Sequence, residues 1–303
     1  MIKPITQHEK VRQSLGWLAE VETGQDWLNR LPTTLQHVCW QWGLELAGEP
    51  HGGGSVSLVL PVVKRGIATP MVLKIQWPHR ECRDEAAALR IWNGNGAIYL
   101  LDHDPLNHAL LLEACRPGTF LAGGMRTALA VYADILPRLW VKTDEPVRRL
   151  EEEARMWMKN LHLIREQSSP DMVPLIDCAL NWGTRLIDTQ GEQVLLHQDL
   201  HGHNVLAAER TPWLAIDPKP LIGEREFALA SIVRGFEFGH SKIETMTRLD
   251  QLCRMFHLNR ERALGWTILQ TVAWCQGSPH EKMHCETVRW LMEEGGGRDR
   301  ATS

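Results

Sequence analysis

Long apolar runs are missing from this 303-residue chain. No segment approaches the ~18 uninterrupted apolar residues of a membrane-spanning helix, and the opening MIKPITQHEKVRQSLGWLAE carries no stretch suited to a secretory signal. No membrane partner is therefore expected. A basic excess is missing too: the formal net charge is −4, which leaves no surplus of Lys and Arg to neutralise nucleic-acid phosphates. The seven cysteines (Cys39, Cys82, Cys115, Cys178, Cys253, Cys275 and Cys285) include no CxxC pair. Their odd number and scattered spacing argue against a disulfide framework and suit a reduced, cytoplasmic chain. Repeats and low-complexity tracts are absent up to the tail EEGGGRDRATS. Tyrosine is scarce, two residues against thirteen tryptophans, and those indoles are expected to fill cores and line clefts.

What is present divides in two. Residues 8–47 carry a helical pattern, with Pro32 expected to break it. The segment GEPHGGGSVSLVLPVVKRGIATPMVLKIQW then reads as two or three strands joined by tight turns. ECRDEAAALRIWNGNG is a helix stopped by Asn-Gly pairs, and AIYLLDHDPLNHALLLEAC is two more strands around an Asp-Pro turn. A five-stranded sheet with one inserted helix would close near Cys115. From residue 116 the period turns helical, interrupted by QVLLHQDLHGHNVLAAERTPWLAIDPKP, where the polar residues of interest gather. The expected architecture is α+β: a β-rich lobe over 1–115, which would hold the nucleotide, and a mainly α-helical catalytic lobe over 116–303.

LLHQDLHGHNVL sets Asp199 and Asn204 five residues apart between apolar runs. Phosphoryl transfer requires a carboxylate to orient the attacking hydroxyl and oxygen ligands for a Mg²⁺ that bridges the phosphates. D-x-x-x-x-N is the spacing of a kinase catalytic loop. WLAIDPKP places Asp217 at a strand end, with ERTP as the turn that would bring it back beside Asp199. Upstream, Lys74 lies inside an apolar strand and Glu85 opens the next helix, the order of a phosphate-holding lysine and its glutamate partner. HGGGS, with Gly53, Gly54 and Ser55, can turn tightly and bring backbone N–H groups to a phosphate. The rival chemistry for the histidines 197, 201 and 203 is a zinc site, which would leave Lys74 and Glu85 unexplained. The order of these features points to transfer of a phosphoryl group from ATP to a hydroxyl.

Through GGGSVSLVLPV, PMVLKI, ALLLEACRPG, LLHQDLHGHNVL, PWLAIDPKPLIGE and NRERALGWTILQTVAW, the chain resembles the aminoglycoside/hydroxyurea resistance kinases, which include streptomycin 6-kinases. These belong to the aminoglycoside phosphotransferase-like kinases. The resemblance spans about residues 45–276 and implies a bilobal protein-kinase-like fold. It implies Asp199 as catalytic base, Asn204 and Asp217 as Mg²⁺ ligands, and Lys74 with Glu85 at the ATP phosphates. The backbone of Glu113–Cys115 would meet the adenine. Two positions depart from the family pattern: Gln198 stands where Gly is usual, which predicts a tighter loop, and Ala228 replaces an Asp that braces it. The implied acceptor is a small hydroxyl compound, an aminoglycoside such as streptomycin. Hydroxyurea or a metabolite, or a feebly active nucleotide-binding protein, are the alternatives. Glu224, Glu226, Glu237 and Glu151–Glu153 are candidate partners for a guanidinium-bearing sugar.

Overall fold

The computed structural model describes residues 5–52, 54–121 and 125–295. Contacts separate the chain into two compact units, Met1–Gly118 and Thr119–Ser303. Among the described residues no helix is long and apolar enough to cross a membrane.

The first unit opens with α1 (Glu9–Leu15) and α2 (Glu22–Trp42). Its sheet contains β1 (Leu44–Leu46), β2 (Ser57–Lys64), β3 (Ile67–Gln76), β4 (Leu100–Asp104) and β5 (Ala109–Glu113), with α3 (Glu85–Trp92) between β3 and β4. All strand pairs are antiparallel, in the order β1-β2-β3-β5-β4. Leu31, Leu35 and Val38 recur at helical spacing on α2 and pack in one core with Leu58, Leu60 and Val62, which alternate along β2.

Two expectations are corrected here. Pro32 does not break the helix, because α2 continues through it to Trp42. Leu31 and Leu35 on either side are buried in the core, so tertiary packing holds the turn that proline would otherwise open. The helical pattern also ends earlier than residue 47. Gly43 takes φ 64° and stops α2, which frees Leu44–Leu46 to pair with β2 as the first strand.

The second unit contains α4 (Met125–Leu139), α5 (Leu150–Arg165), α6 (Val173–Leu186), α7 (Ala230–Arg234), α8 (Lys242–Phe256), α9 (Arg260–Cys275) and α10 (Glu281–Gly295). Two short antiparallel pairs interrupt the helices: β6 (Gln193–Leu196) with β9 (Leu221–Glu224), and β7 (Val205–Ala207) with β8 (Trp213–Ala215). α5 buries Leu150, Ala154, Trp157 and Leu161 on a single face. α9 is different, since every residue from Ala263 to Val272 is buried. A helix enclosed on all sides belongs at the centre of its unit, and its few polar side chains must find internal partners.

Candidate functional site

In the first unit, Lys74 sits on the central strand β3, opposite Val59 of β2 and Leu110 of β5. It is buried, so it cannot reach water as an edge lysine would. Its Nζ lies 2.8 Å from Oε1 and 2.6 Å from Oε2 of Glu85, in the first turn of α3. Gln76, two residues along the same face, donates to Glu85 Oε2 at 2.6 Å. A lysine held this way keeps its charge in the interior and is preorganised to meet an anion.

The glycine-rich segment lies between β1 and β2. Gly53 falls outside the described residues. A Cβ on Gly54 would lie 3.0 Å from the Ser57 carbonyl, so the tight turn favours glycine there. The Ser55 carbonyl accepts a 2.9 Å hydrogen bond from Trp17 Nε1. At the end of β5, the Glu113 N–H donates to the Tyr99 carbonyl at 3.0 Å, and its carboxylate accepts from the Tyr99 N–H. That amide is committed to the sheet.

In the second unit, β6 runs buried up to Leu196 and releases the loop 197–204. His197 is buried, and its Nε2–H donates to the Ile216 carbonyl at 2.9 Å. Burial pushes this imidazole down to about 4, so it is a neutral strut. The Lys219 N–H donates back to the His197 carbonyl, and the Ile216 N–H to the Asn204 carbonyl. The β7–β8 hairpin thus returns Asp217 beside the loop that carries Asp199 and Asn204. Gly202 is required sterically: a Cβ would stand 2.7 Å from the Phe238 ring and 2.9 Å from the Leu121 carbonyl. Gln198 takes φ 67° and Asp217 φ 53°. The left-handed backbone at 198 is one that favours glycine, since a side chain is strained in that region.

Asn204 Nδ2 donates to the Asp199 carbonyl at 2.9 Å, and its Oδ1 is the atom able to ligate a cation. Asn204 and Asp217 together offer hard oxygen ligands, a set that fits Mg²⁺ and not a soft metal. Among the described residues no three of His, Cys, Asp and Glu gather as a ready metal site.

Asp199 is the one carboxylate of this loop. Burial would raise its pKa, but Lys219, His201 and Arg234 outweigh that and hold it well below the usual carboxylate range. Lys219 Nζ lies 3.1 Å from Oδ2 and Arg234 Nη2 lies 3.4 Å from Oδ1. Both cations stack on Trp274, 4.9 and 4.8 Å from its ring centre. None of these three was singled out by sequence reasoning. The available signals were a charged residue inside the apolar run ASIVRG and the lysine of IDPKP itself.

The carboxylates considered for acceptor recognition are mostly engaged elsewhere. Glu224 is buried against Arg262, the Trp266 Nε1–H and the Gly191 N–H. Glu226 accepts from the Asn259 N–H ahead of α9, Glu153 pairs with buried Arg148, and Glu151 pairs with Arg155 on the α5 surface. Glu237 differs, because it accepts from the Gly202 N–H at 2.7 Å and so adjoins the Asp199 loop.

Residues 41–276 match the family described as aminoglycoside/hydroxyurea antibiotic resistance kinase. A hydroxyurea phosphotransferase of Kitasatospora aureofaciens is 38% identical over 83% of this chain and 74% of its own length. A streptomycin 6-kinase of Streptomyces glaucescens is 35% identical over 84% of this chain and 85% of its own. Among solved structures, choline kinase LicA of Streptococcus pneumoniae superposes with a TM-score of 0.62 at 14% identity. It covers 88% of this chain and 99% of that one, and it establishes the protein-kinase-like fold.

Proposed function

The chain belongs to the aminoglycoside/hydroxyurea antibiotic resistance kinase family, and we propose that it moves the γ-phosphate of ATP onto the 6-hydroxyl of streptomycin, in the cytoplasm. The observation that carries the reading is the gathering of Asp199, Asn204 and Asp217 by one loop and the hairpin that follows it. Asp199 aligns the acceptor hydroxyl and accepts its hydrogen. Asn204 and Asp217 would hold Mg²⁺, which when bound neutralises phosphate charge. In the first unit Lys74, steadied by Glu85, holds the α- and β-phosphates, and backbone groups of Gly53, Gly54 and Ser55 approach them. Backbone groups of Glu113–Cys115 meet the adenine. Since the transition state is loose, positioning and charge neutralisation supply most of the rate.

Two relatives of nearly equal identity differ in acceptor, which supports a second reading with hydroxyurea as substrate. ATP consumption measured against streptomycin, other aminoglycosides and hydroxyurea separates the two. Turnover with streptomycin is expected, and turnover with hydroxyurea alone would transfer the assignment. An Asp199→Ala protein that retained full phosphotransfer would overturn the role given to Asp199.

A further inference from the structure

We propose that Lys219 is a second catalytic residue, whose ammonium leaves Asp199 to bind the oxygens of the phosphoryl group in flight. The inference rests on the kinase reading above. Each oxygen of Asp199 faces a cation, Oδ1 Arg234 at 3.4 Å and Oδ2 Lys219 at 3.1 Å, and His201 Nε2 stands 3.9 Å from Oδ2. An acceptor hydroxyl must reach one of these oxygens beside or in place of a cation already on it, and the exposed side of the carboxylate is the one that Lys219 covers. Arg234 is the fixed partner, since its side chain is 10% exposed. Lys219 is the accessible one at 27%, with a flexible four-carbon stem.

The place where that ammonium goes is set by the reaction geometry. The attacking oxygen must lie within hydrogen-bond reach of Asp199 and roughly 3 Å from the γ-phosphorus, in line with the leaving oxygen. An ammonium displaced from Oδ2 is then beside the equatorial phosphoryl oxygens, where negative charge is spread in the transition state. The indole of Trp274 supplies a face along which the cation can shift without returning to water. The Lys219 N–H bond to the His197 carbonyl fixes the base of the stem.

In the step itself, the acceptor oxygen forms its bond to the γ-phosphorus while the bond from that phosphorus to the β,γ-bridging oxygen breaks. The electron pair of the broken bond stays on ADP. The hydroxyl proton passes to Asp199 and then to solvent. Lys219 neither gives nor takes a proton.

Calorimetric titration with Mg-ADP, with and without aluminium fluoride, tests the role without any acceptor. The unsubstituted protein is expected to bind Mg-ADP at least tenfold more tightly with fluoride present. Lys219→Ala and Lys219→Gln should bind Mg-ADP alone within about threefold of that protein, which also shows that they fold, and should lose the fluoride gain. In turnover, both should lower kcat by a hundredfold or more with KM for ATP little changed, and ethylamine should partly restore Lys219→Ala. Retention of the fluoride gain by either variant, or a kcat within threefold, overturns the proposal. Failure of the unsubstituted protein to phosphorylate any acceptor counts against the kinase reading instead, while the fluoride titration still decides on Lys219.

Discussion

The side-chain amide of Gln270, in the middle of α9, donates to the backbone carbonyl of Gln198 at 3.3 Å. The residue before Asp199 is thereby tied to the most buried helix of its unit. This tie supplies support at a loop whose expected brace is missing, since position 228 is a buried alanine. Gln270→Leu should strand that carbonyl and destabilise the fold by about 1–3 kcal/mol. It should also lower kcat more than it raises KM, because the Asp199 loop loses a fixed point. Denaturant unfolding and initial-rate kinetics measure the two effects.

Gln198 itself is predicted to be a poor choice for stability. It is buried in a left-handed conformation, and neither atom of its amide has a hydrogen-bond partner. Gln198→Gly removes roughly 1–2 kcal/mol of backbone strain and about 1–3 kcal/mol from the stranded amide. The freer unfolded chain and the space left behind offset part of this. A net gain of about 1 kcal/mol is expected, read as a higher thermal midpoint. A lower midpoint would show that the side chain contributes more by packing than it loses by strain.

These two glutamines show where the sequence could and could not be read. Asp199, Asn204 and Asp217 were legible because one strand, one loop and one hairpin bring them together within 19 residues of chain. Lys74 and Glu85 were legible because a strand and the helix after it have few ways to meet. Lys219, Arg234 and Trp274 come from the loop between β8 and β9 and from two different helices, so only tertiary packing unites them around Asp199. The left-handed backbone at 198 had no local signature, because the residue that would announce it is glycine. Glu224 had the composition of an exposed binding carboxylate, yet Arg262 across the fold recruits it into the core.

Lys74→Met is expected to affect stability as well as nucleotide affinity. It would leave Glu85, 1% exposed, buried without its cation and with the neutral Gln76 amide as a donor. Removing one partner of a buried pair costs about 3–5 kcal/mol. The double variant Lys74→Met with Glu85→Leu should recover most of that loss and none of the activity. Chemical denaturation of the two proteins separates the structural contribution of the pair from its function.

Acid sensitivity should arise in part at His284. Burial pushes its imidazole down to about 4, helped by the positive field of Arg234 and by His280 and His240. Its ring packs 5.8 Å from Phe236. An unfolded histidine takes a proton near pH 6.5, which the folded one refuses until about 4. Over that window the unfolded state binds more protons, so stability rises with pH and falls on acidification. The thermal midpoint should drop between about pH 7 and pH 5, and by less in His284→Gln. Equal slopes in both proteins would place the acid sensitivity elsewhere.

Trp17 should set nucleotide affinity from outside the sheet. Its ring meets Trp77 edge-on at 5.9 Å, Trp77 stacks on His79 at 5.7 Å, and its Nε1–H holds the Ser55 carbonyl. The Trp77 backbone N–H also donates to the Val56 carbonyl, so the Trp17 indole and the Trp77 main chain fix successive residues at the end of the glycine-rich segment. Trp17→Phe keeps the ring packing and deletes the bond, a change of about 1 kcal/mol. That corresponds to a rise of roughly fivefold in KM for ATP. The value of kcat should hold, because Trp17 belongs to the first unit and Asp199 to the second. Trp17→Ala, which also removes the edge contact, should raise KM further. Initial rates over a range of ATP concentrations at saturating acceptor give both constants, and an unchanged KM in Trp17→Phe would remove this bond from any account of nucleotide affinity.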